Sequence, residues 1–343
     1  MSSSQALFPF TSIVGQEDMK RALLLNIIDP GIGGVLIRGE KGTAKSTAVR
    51  SLVQILPERE VMKNCIFRCE YARPEKACSS CNERLASGEE IDSINVPMVV
   101  VELPLSATED RVAGTLDIEY ALKTGKKRFE PGILAQANGN ILYIDEVNLL
   151  DDHLVDLLLD SAAMGVNYVE REGVSFSHPS RFILIGTMNP EEGDLRPQLL
   201  DRFGLSVDVE GEADIEDKIE IIKRRLTFDR DPERYVNDCQ PDMNALRKKI
   251  AHAKNIINQI ALDDDAINIV VKLTTHFGIT GHRADITLMK AARANAALEG
   301  RIEVTLEDLR IVSALVLSHR MKRRPFEGLC LDADELEKCL QVG

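Results

Sequence analysis

The stretch GVLIRGEKGTAKSTAVRSLVQIL, residues 34–56, leaves a chain few ways to fold. Its apolar run ends at Gly39, a short loop follows, and Lys45 and Ser46 open a segment whose Val49, Leu52, Val53 and Leu56 recur at helical spacing. Strand, loop and helix in that order point loop N–H groups and a helix N-terminus at one place, which is how a backbone encloses phosphate oxygens. Gly39, Gly42, Thr43, Ala44, Lys45, Ser46 and Thr47 are therefore the expected nucleotide-binding residues. Ala44 stands where such loops usually carry their last glycine. If its backbone is left-handed the cost is about 1–2 kcal/mol, which a working loop tolerates. The glycines of GIGG, residues 31–34, precede the strand instead of following it, so they read as a turn and not as a dinucleotide fingerprint.

Three further apolar runs read as strands: VPMVVVEL (96–103), NILYIDE (140–146) and RFILIGTMN (181–189). They are nearly continuous, as strands covered on both faces must be. Alternating with helical stretches, they predict an α/β domain with a mostly parallel sheet over residues 1–212. From about residue 214 the pattern is helical only, with helical stretches at 243–260, 265–277, 284–298 and 306–322, which predicts a small all-helical domain over 213–325 and a tail over 326–343. Thr305 and Asp308 have the spacing of a helix N-cap box. The basic run HRMKRR, residues 319–324, reads as a solvated helix end.

Polar residues at the ends of these strands carry the chemistry. Asp145 and Glu146 close an apolar strand, where Asp145 with the Ser46 hydroxyl would hold Mg²⁺ and Glu146 would deprotonate a water; a solvated strand edge is the bland alternative. Asn189 ends the next strand and is suited to fixing the same water. Arg202 is placed to stabilise charge on a transferring phosphoryl group, or else to pair with Asp201.

Formal charge is −13, from 42 Lys+Arg against 55 Asp+Glu, a balance that repels nucleic acid. The N-terminus lacks a secretory pattern and no run approaches 18 apolar residues, so a cytoplasmic protein without a membrane span is expected. In that compartment seven cysteines are free thiols or metal ligands before they are disulfides. Cys65, Cys69, Cys78 and Cys81 read C-x3-C-x8-C-x2-C, a spacing open to structural Zn²⁺, an iron–sulfur cluster or free thiols. Cys239, Cys330 and Cys339 are isolated.

Residues 8–330 resemble the AAA+ ATPase subunit of magnesium chelatase and of the related cobalt chelatases. The segments FPFTSIVGQEDMKRALLLNIIDPGIGGVLIRGEKGTAKST, EDRVAGTLDIEYAL, FEPGILAQANGNILYIDEVNLLDDHLVDLLLD and NPEEGDLRPQLLDRFGLSV carry the likeness. The variant GEKGTAKST resembles the branch found beside cobalt-chelatase-like large subunits. The resemblance implies a P-loop AAA+ domain followed by a helical lid, and a ring, expected to be a hexamer, with ATP and Mg²⁺ at subunit interfaces. It implies Lys45 and Ser46 as Walker A, Asp145 and Glu146 as Walker B, Asn189 as sensor 1 and Arg202 as an arginine finger. Arg283 in TGHRADI would be sensor 2, and Val14, Gly15 and Gln16 would sit by the adenine. Two extra segments are implied, one within residues 105–132 and a hairpin at VNYVEREGVSFSH, residues 166–178. Partners would be an AAA+ subunit bearing a von Willebrand factor A domain and a large tetrapyrrole-binding subunit that inserts Mg²⁺ or Co²⁺. A MoxR-like remodelling ATPase and a non-hydrolysing ATP-binding module are the other two readings; Glu146 and Arg202 argue against the second.

Overall fold

The computed structural model describes residues 6–116, 129–171, 174–261, 263–321, 336 and 338–339. Packing divides the chain into two compact units, residues 1–55 with 187–343, and residues 56–186. The chain begins in the first unit with α1 (Glu17–Ile28), which the sequence reading did not name, and with β1 (Val35–Gly39) and α2 (Lys45–Ser51), both close to their expected places. α1 is all but enclosed, burying Met19, Ala22, Leu23, Leu25 and Ile27.

The second unit opens with β2 (Arg59–Met62), which pairs antiparallel with β3 (Ser93–Val96) across a segment that contains α3 (Ser79–Ala86). Next come β4 (Val100–Leu103), α4 (Glu109–Ala113) and the antiparallel pair β5 (Gly114–Leu116) with β6 (Phe129–Pro131). The run VPMVVVEL thus takes in only the last residue of β3, Val96, and all of β4. Pro97, which has no N–H to give a ladder, separates them. α5 (Ile133–Ala137) leads into β7 (Ile141–Ile144), and α6 (Asp152–Met164) into the hairpin of β8 (Val166–Arg171) and β9 (Val174–Pro179). That hairpin is the expected one, with Val166 opposite Pro179 and Arg171 opposite Val174. Its tip at 172–173 and residues 117–128 of the other extra segment lie outside the described residues.

β10 (Ile183–Met188) carries the chain back into the first unit. In the second unit it runs parallel to β7, Ile183 opposite Ile141, and β7 runs parallel to β4, Ile141 opposite Val100. Every residue of β7 and β10 is buried, as their apolar sequences require. In the first unit α7 (Pro197–Leu200) precedes β11 (Leu205–Val209), which runs parallel to β1 with Gly39 opposite Val209. The sheet order is β11-β1-β10-β7-β4, so the expected α/β class with a parallel sheet holds.

After β11 come α8 (Ile215–Arg230), α9 (Pro232–Asp238), α10 (Gln240–Ile256), α11 (Asp264–His276), α12 (His282–Leu298) and α13 (Leu306–Leu317). The last four coincide with the expected helical stretches. Among the described residues no helix is long and apolar enough to cross a membrane. The tail, save residues 336 and 338–339, lies outside the described residues. The basic run is corrected at its start: His319 and Arg320 are buried, because Arg320 donates to the carbonyls of Phe203, Gly204 and Asp201 instead of to water. Residues 322–324 of that run lie outside the described residues.

The expected cap at α13 is a full capping box. Thr305 Oγ1 accepts from the Asp308 N–H while the Asp308 carboxylate accepts from the Thr305 N–H at 2.8 Å. The same carboxylate, fully buried, accepts from Arg301 at 2.6 Å and from Asn295 at 2.7 Å. Burial works against its charge, but the bonds from Arg301, Thr305 and Asn295 more than offset this and hold its pKa below the ordinary value. Its stabilisation is therefore complete above the ordinary carboxylate range and is lost as pH falls through the depressed value. Asp308→Asn should cost about 1–3 kcal/mol at neutral pH. In urea denaturation the deficit should narrow as the pH is taken down through the acid range.

Candidate nucleotide site

β1 delivers its loop at the carboxyl end of a parallel sheet, the side on which such sheets bind ligands. Gly39 is required by the neighbouring strand: a Cβ there would lie 2.1 Å from the Val209 carbonyl oxygen. Gly42 turns the loop with φ +89°, and Ala44 takes φ 61°, ψ 13°, the left-handed backbone anticipated at that position. α2 starts at Lys45 and holds Ser46 and Thr47 in its first turn. The Lys45 ammonium donates to the carbonyls of Gly39 (2.5 Å) and Glu40 (2.6 Å), and the Thr43 hydroxyl donates to the Glu40 carbonyl (2.9 Å). The loop is thus closed on itself by a cation and a hydroxyl.

A cavity of about 220 Å³ adjoins the loop, wholly within the first unit. Gly42, Thr43, Ala44 and Thr47 form one wall, and Val14 and Gln16 another, so the structure brings these expected residues together. Gly15, between those two, takes φ +62°. The Gln16 amide donates to the Glu210 carbonyl (2.8 Å) and to Glu212 (2.9 Å), fixing its segment to the chain beyond β11. Ile221, Arg224 and Arg225 of α8 supply a wall that sequence reasoning did not foresee. Arg224 donates to the Ser12 carbonyl at 3.2 Å, which docks α8 on the N-terminal segment. The available signal was Asp214, whose carboxylate caps α8 by accepting from the N–H groups of Glu216 and Asp217.

At Asp201 one expected charge-stabilising residue of this unit, Arg283, meets one that was not foreseen, Arg320. Arg283, in the first turn of α12, pairs with Asp201 at 2.7 Å, and the buried Arg320 pairs with it at 3.2 Å. Burial pushes Arg320 down to about 10, although the Asp201 charge opposes this. Arg202 follows directly, half-buried in the turn after α7, with its N–H bonded to the Leu199 carbonyl. Asn189 is buried at the end of β10, and its side-chain oxygen accepts from the Glu191 N–H at 3.2 Å, which fixes the amide.

In the second unit Asp145 and Glu146 follow β7. The Tyr143 hydroxyl donates to Asp145 at 2.8 Å, and Glu146 holds a left-handed backbone, φ 56°, an uncommon conformation for a glutamate and of the kind found at functional turns. The four clustered cysteines also lie here, their sulfurs all within 4.8 Å of one another. Hydrogen bonds from Cys69 and Cys78 favour the Cys65 thiolate. The same bonds hold the Cys69 and Cys78 protons on, and burial pushes Cys81 up to about 12. Phe67 stacks on His178 at 4.8 Å beside them, and burial lowers the His178 pKa and keeps that ring neutral.

Residues 84–203 match the AAA domain of the dynein-related subfamily, and residues 267–339 match an AAA lid domain. A magnesium-chelatase subunit ChlI homolog from Methanocaldococcus jannaschii is 54% identical over 99% of this chain and 92% of its own length. The magnesium-chelatase subunit ChlI of Synechocystis is 49% identical over 95% of this chain and 91% of its own. A cryo-EM-based structure of the complex between subunits BchI and BchD of magnesium chelatase matches 98% of this chain at 45% identity with a TM-score of 0.55.

The left-handed Ala44 gives a test of the loop. Ala44→Gly relieves a penalty of about 1–2 kcal/mol while raising unfolded-state entropy by about 0.4–1 kcal/mol, for a net gain of roughly 0.5–1 kcal/mol. Ala44→Val, β-branched at positive φ, should instead lose stability. Denaturant midpoints of the two variants should move in opposite directions.

Proposed function

The chain belongs to the magnesium-chelatase ChlI/BchI family, and from that premise we propose that it is the ATP-hydrolysing motor of a metal chelatase. The observation that carries this reading is the pocket of the first unit, where a self-closed phosphate loop with Lys45 stands against the wall of Val14 and Gln16. Hydrolysis would drive rearrangement of a ring coupled to a large subunit, in which Mg²⁺ or Co²⁺ enters a tetrapyrrole as substrate. A partner subunit of the kind present in the BchI–BchD complex follows from the family, and we extend this to a hexameric ring. The apolar stripe of Ile215, Ile219, Ile222 and Leu226 along α8, all exposed, supports burial against further chains.

In this reading Lys45 and the loop amides hold the β- and γ-phosphates. The Ser46 hydroxyl and the Asp145 carboxylate are hard oxygen donors of the kind Mg²⁺ takes. Bound by them with ATP, Mg²⁺ would neutralise charge on the phosphate oxygens. Glu146 orients the attacking water and accepts its proton, and Asn189 holds that water by its amide. Arg202 serves a neighbouring subunit's ATP, and Arg283 answers to the phosphate from the lid.

Glu146→Gln should keep ATP binding and lower turnover by about 10²-fold or more, the scale of losing a general base. Lys45→Ala should lose binding. Wild-type turnover in the Gln variant would remove Glu146 from the mechanism. Metal insertion assayed with both partner subunits and both metals tests the chelatase reading itself: no ATP-dependent insertion of either would overturn it.

The ring is tested by mixing inactive chains. An Arg202→Ala chain keeps its pocket and loses its finger, and a Lys45→Ala chain does the reverse. Once native mass spectrometry shows mixed rings, ATPase activity should partly return, because a finger supplied in trans contributes about 10³–10⁵ in rate. Mixed rings without recovered activity would make Arg202 a structural residue.

A further inference from the structure

Residues 63–92, between β2 and β3, bury five side chains: Phe67, Cys69, Cys78, Cys81 and Ile91. Three of the five are cysteines, too little apolar surface for a segment of that length to fold on hydrophobic burial. The segment nonetheless takes a defined and costly backbone. Asn64 and Arg68 both sit in the left-handed region, φ 61° and 49°, and each directly precedes a cysteine. Such strain persists only where the surroundings over-determine it.

What the strain achieves is convergence of four sulfurs. Cys65 and Cys69 come from the two tight turns, Cys78 is the N-cap of α3, and Cys81 lies in that helix's first turn. The Cys78 N–H donates to the Cys69 sulfur at 3.2 Å, an amide-to-sulfur bond suited to a thiolate ligand.

The spacing selects the occupant. The Cys65 and Cys78 sulfurs are 3.8 Å apart, and all four lie within 4.8 Å of one another. Four sulfurs at about 2.3 Å from one tetrahedral ion are about 3.8 Å from each other. A disulfide would bring two of them to about 2.05 Å. A multi-iron cluster places its thiolates on different irons and so holds the sulfurs further apart than one shared ion does. All-thiolate tetrahedral ligation with no open position suits a redox-inert structural ion.

We propose that Cys65, Cys69, Cys78 and Cys81 bind one structural Zn²⁺, which folds residues 63–92 onto the second unit. The site stands apart from ATP hydrolysis and does not rest on the chelatase reading.

The test uses the full chain, purified under reducing conditions without chelators or metal-affinity columns. Elemental analysis should find about one zinc per chain, and Cys78→Ser with Cys81→Ser should lose it while Cys239→Ser keeps it. If the double variant fails to fold, the wild type still decides. After its zinc is displaced, Co²⁺ should give the intense visible bands of tetrahedral tetrathiolate cobalt, and these should disappear on adding one equivalent of Zn²⁺. Wild-type protein with neither zinc nor a tetrahedral cobalt spectrum would overturn the proposal. So would one equivalent of iron in place of zinc, or a double variant that folds and retains its zinc.

Discussion

A backbone that is to enclose a triphosphate must hold its own shape, and the first unit is arranged around that requirement. β1 is buried from Val35 to Ile37, so the strand that aims the loop cannot shift. Gly39 lies so close to the Val209 carbonyl that no side chain fits. Beyond it, Lys45 spans the loop to two carbonyls, and Ala44 accepts a left-handed backbone that most residues avoid. Each feature costs something locally. Each is tolerable because β11 and α1 pack the strand on which the loop stands.

The same economy governs the helical part of that unit. Arg320 is a buried cation, expensive unless paired and hydrogen-bonded, and Asp201 with the carbonyls of Phe203 and Gly204 meets that need. Those acceptors all lie in the turn that bears Arg202. Arg283 reaches the other oxygen of the same carboxylate. One aspartate is therefore the joint between the end of α13, the start of α12 and the turn that presents the proposed finger. Arg283 and the buried Arg320 thus both hold the turn that carries Arg202.

Four of the five sheet strands, the loop and the last four helices are legible in the sequence because each has a strong period or a run with no competing reading. β11 was missed because LSVDV is short and alternates: Asp208 is exposed while Val207 and Val209 are buried, a pattern easily lost after the glycine of DRFG. α8 was missed for a different reason. Its isoleucines at 215, 219 and 222 face outward, so its apolar period does not mark a core. The run HRMKRR misled because charge count says nothing about carbonyls waiting nearby. At the site, the loop was legible from its own pattern and Val14 and Gln16 only through the family resemblance, whereas the Arg224 and Arg225 wall depends on how α8 docks, which no local pattern encodes.

In the second unit a division of labour runs along the strands. At their amino ends sit two buried asparagines, Asn138 and Asn140. Asn138 donates to the Phe67 carbonyl at 2.7 Å and accepts from the Arg181 N–H at 3.0 Å, tying the cysteine segment to the approach to β10. Asn140 accepts from the Val99 N–H at 3.2 Å, just before β4, and donates to the Gln136 carbonyl at 2.8 Å. A buried amide with both ends engaged fixes position in a way that an apolar contact does not. The proposed zinc site, which orients Phe67, thus belongs to the machinery that sets where β4, β7 and β10 begin. Asp145 and Glu146 lie past the opposite end of β7. A strand held at one end by polar clamps and along its length by burial presents its last carboxylates at a defined place, which is what a general base needs before its pKa matters at all.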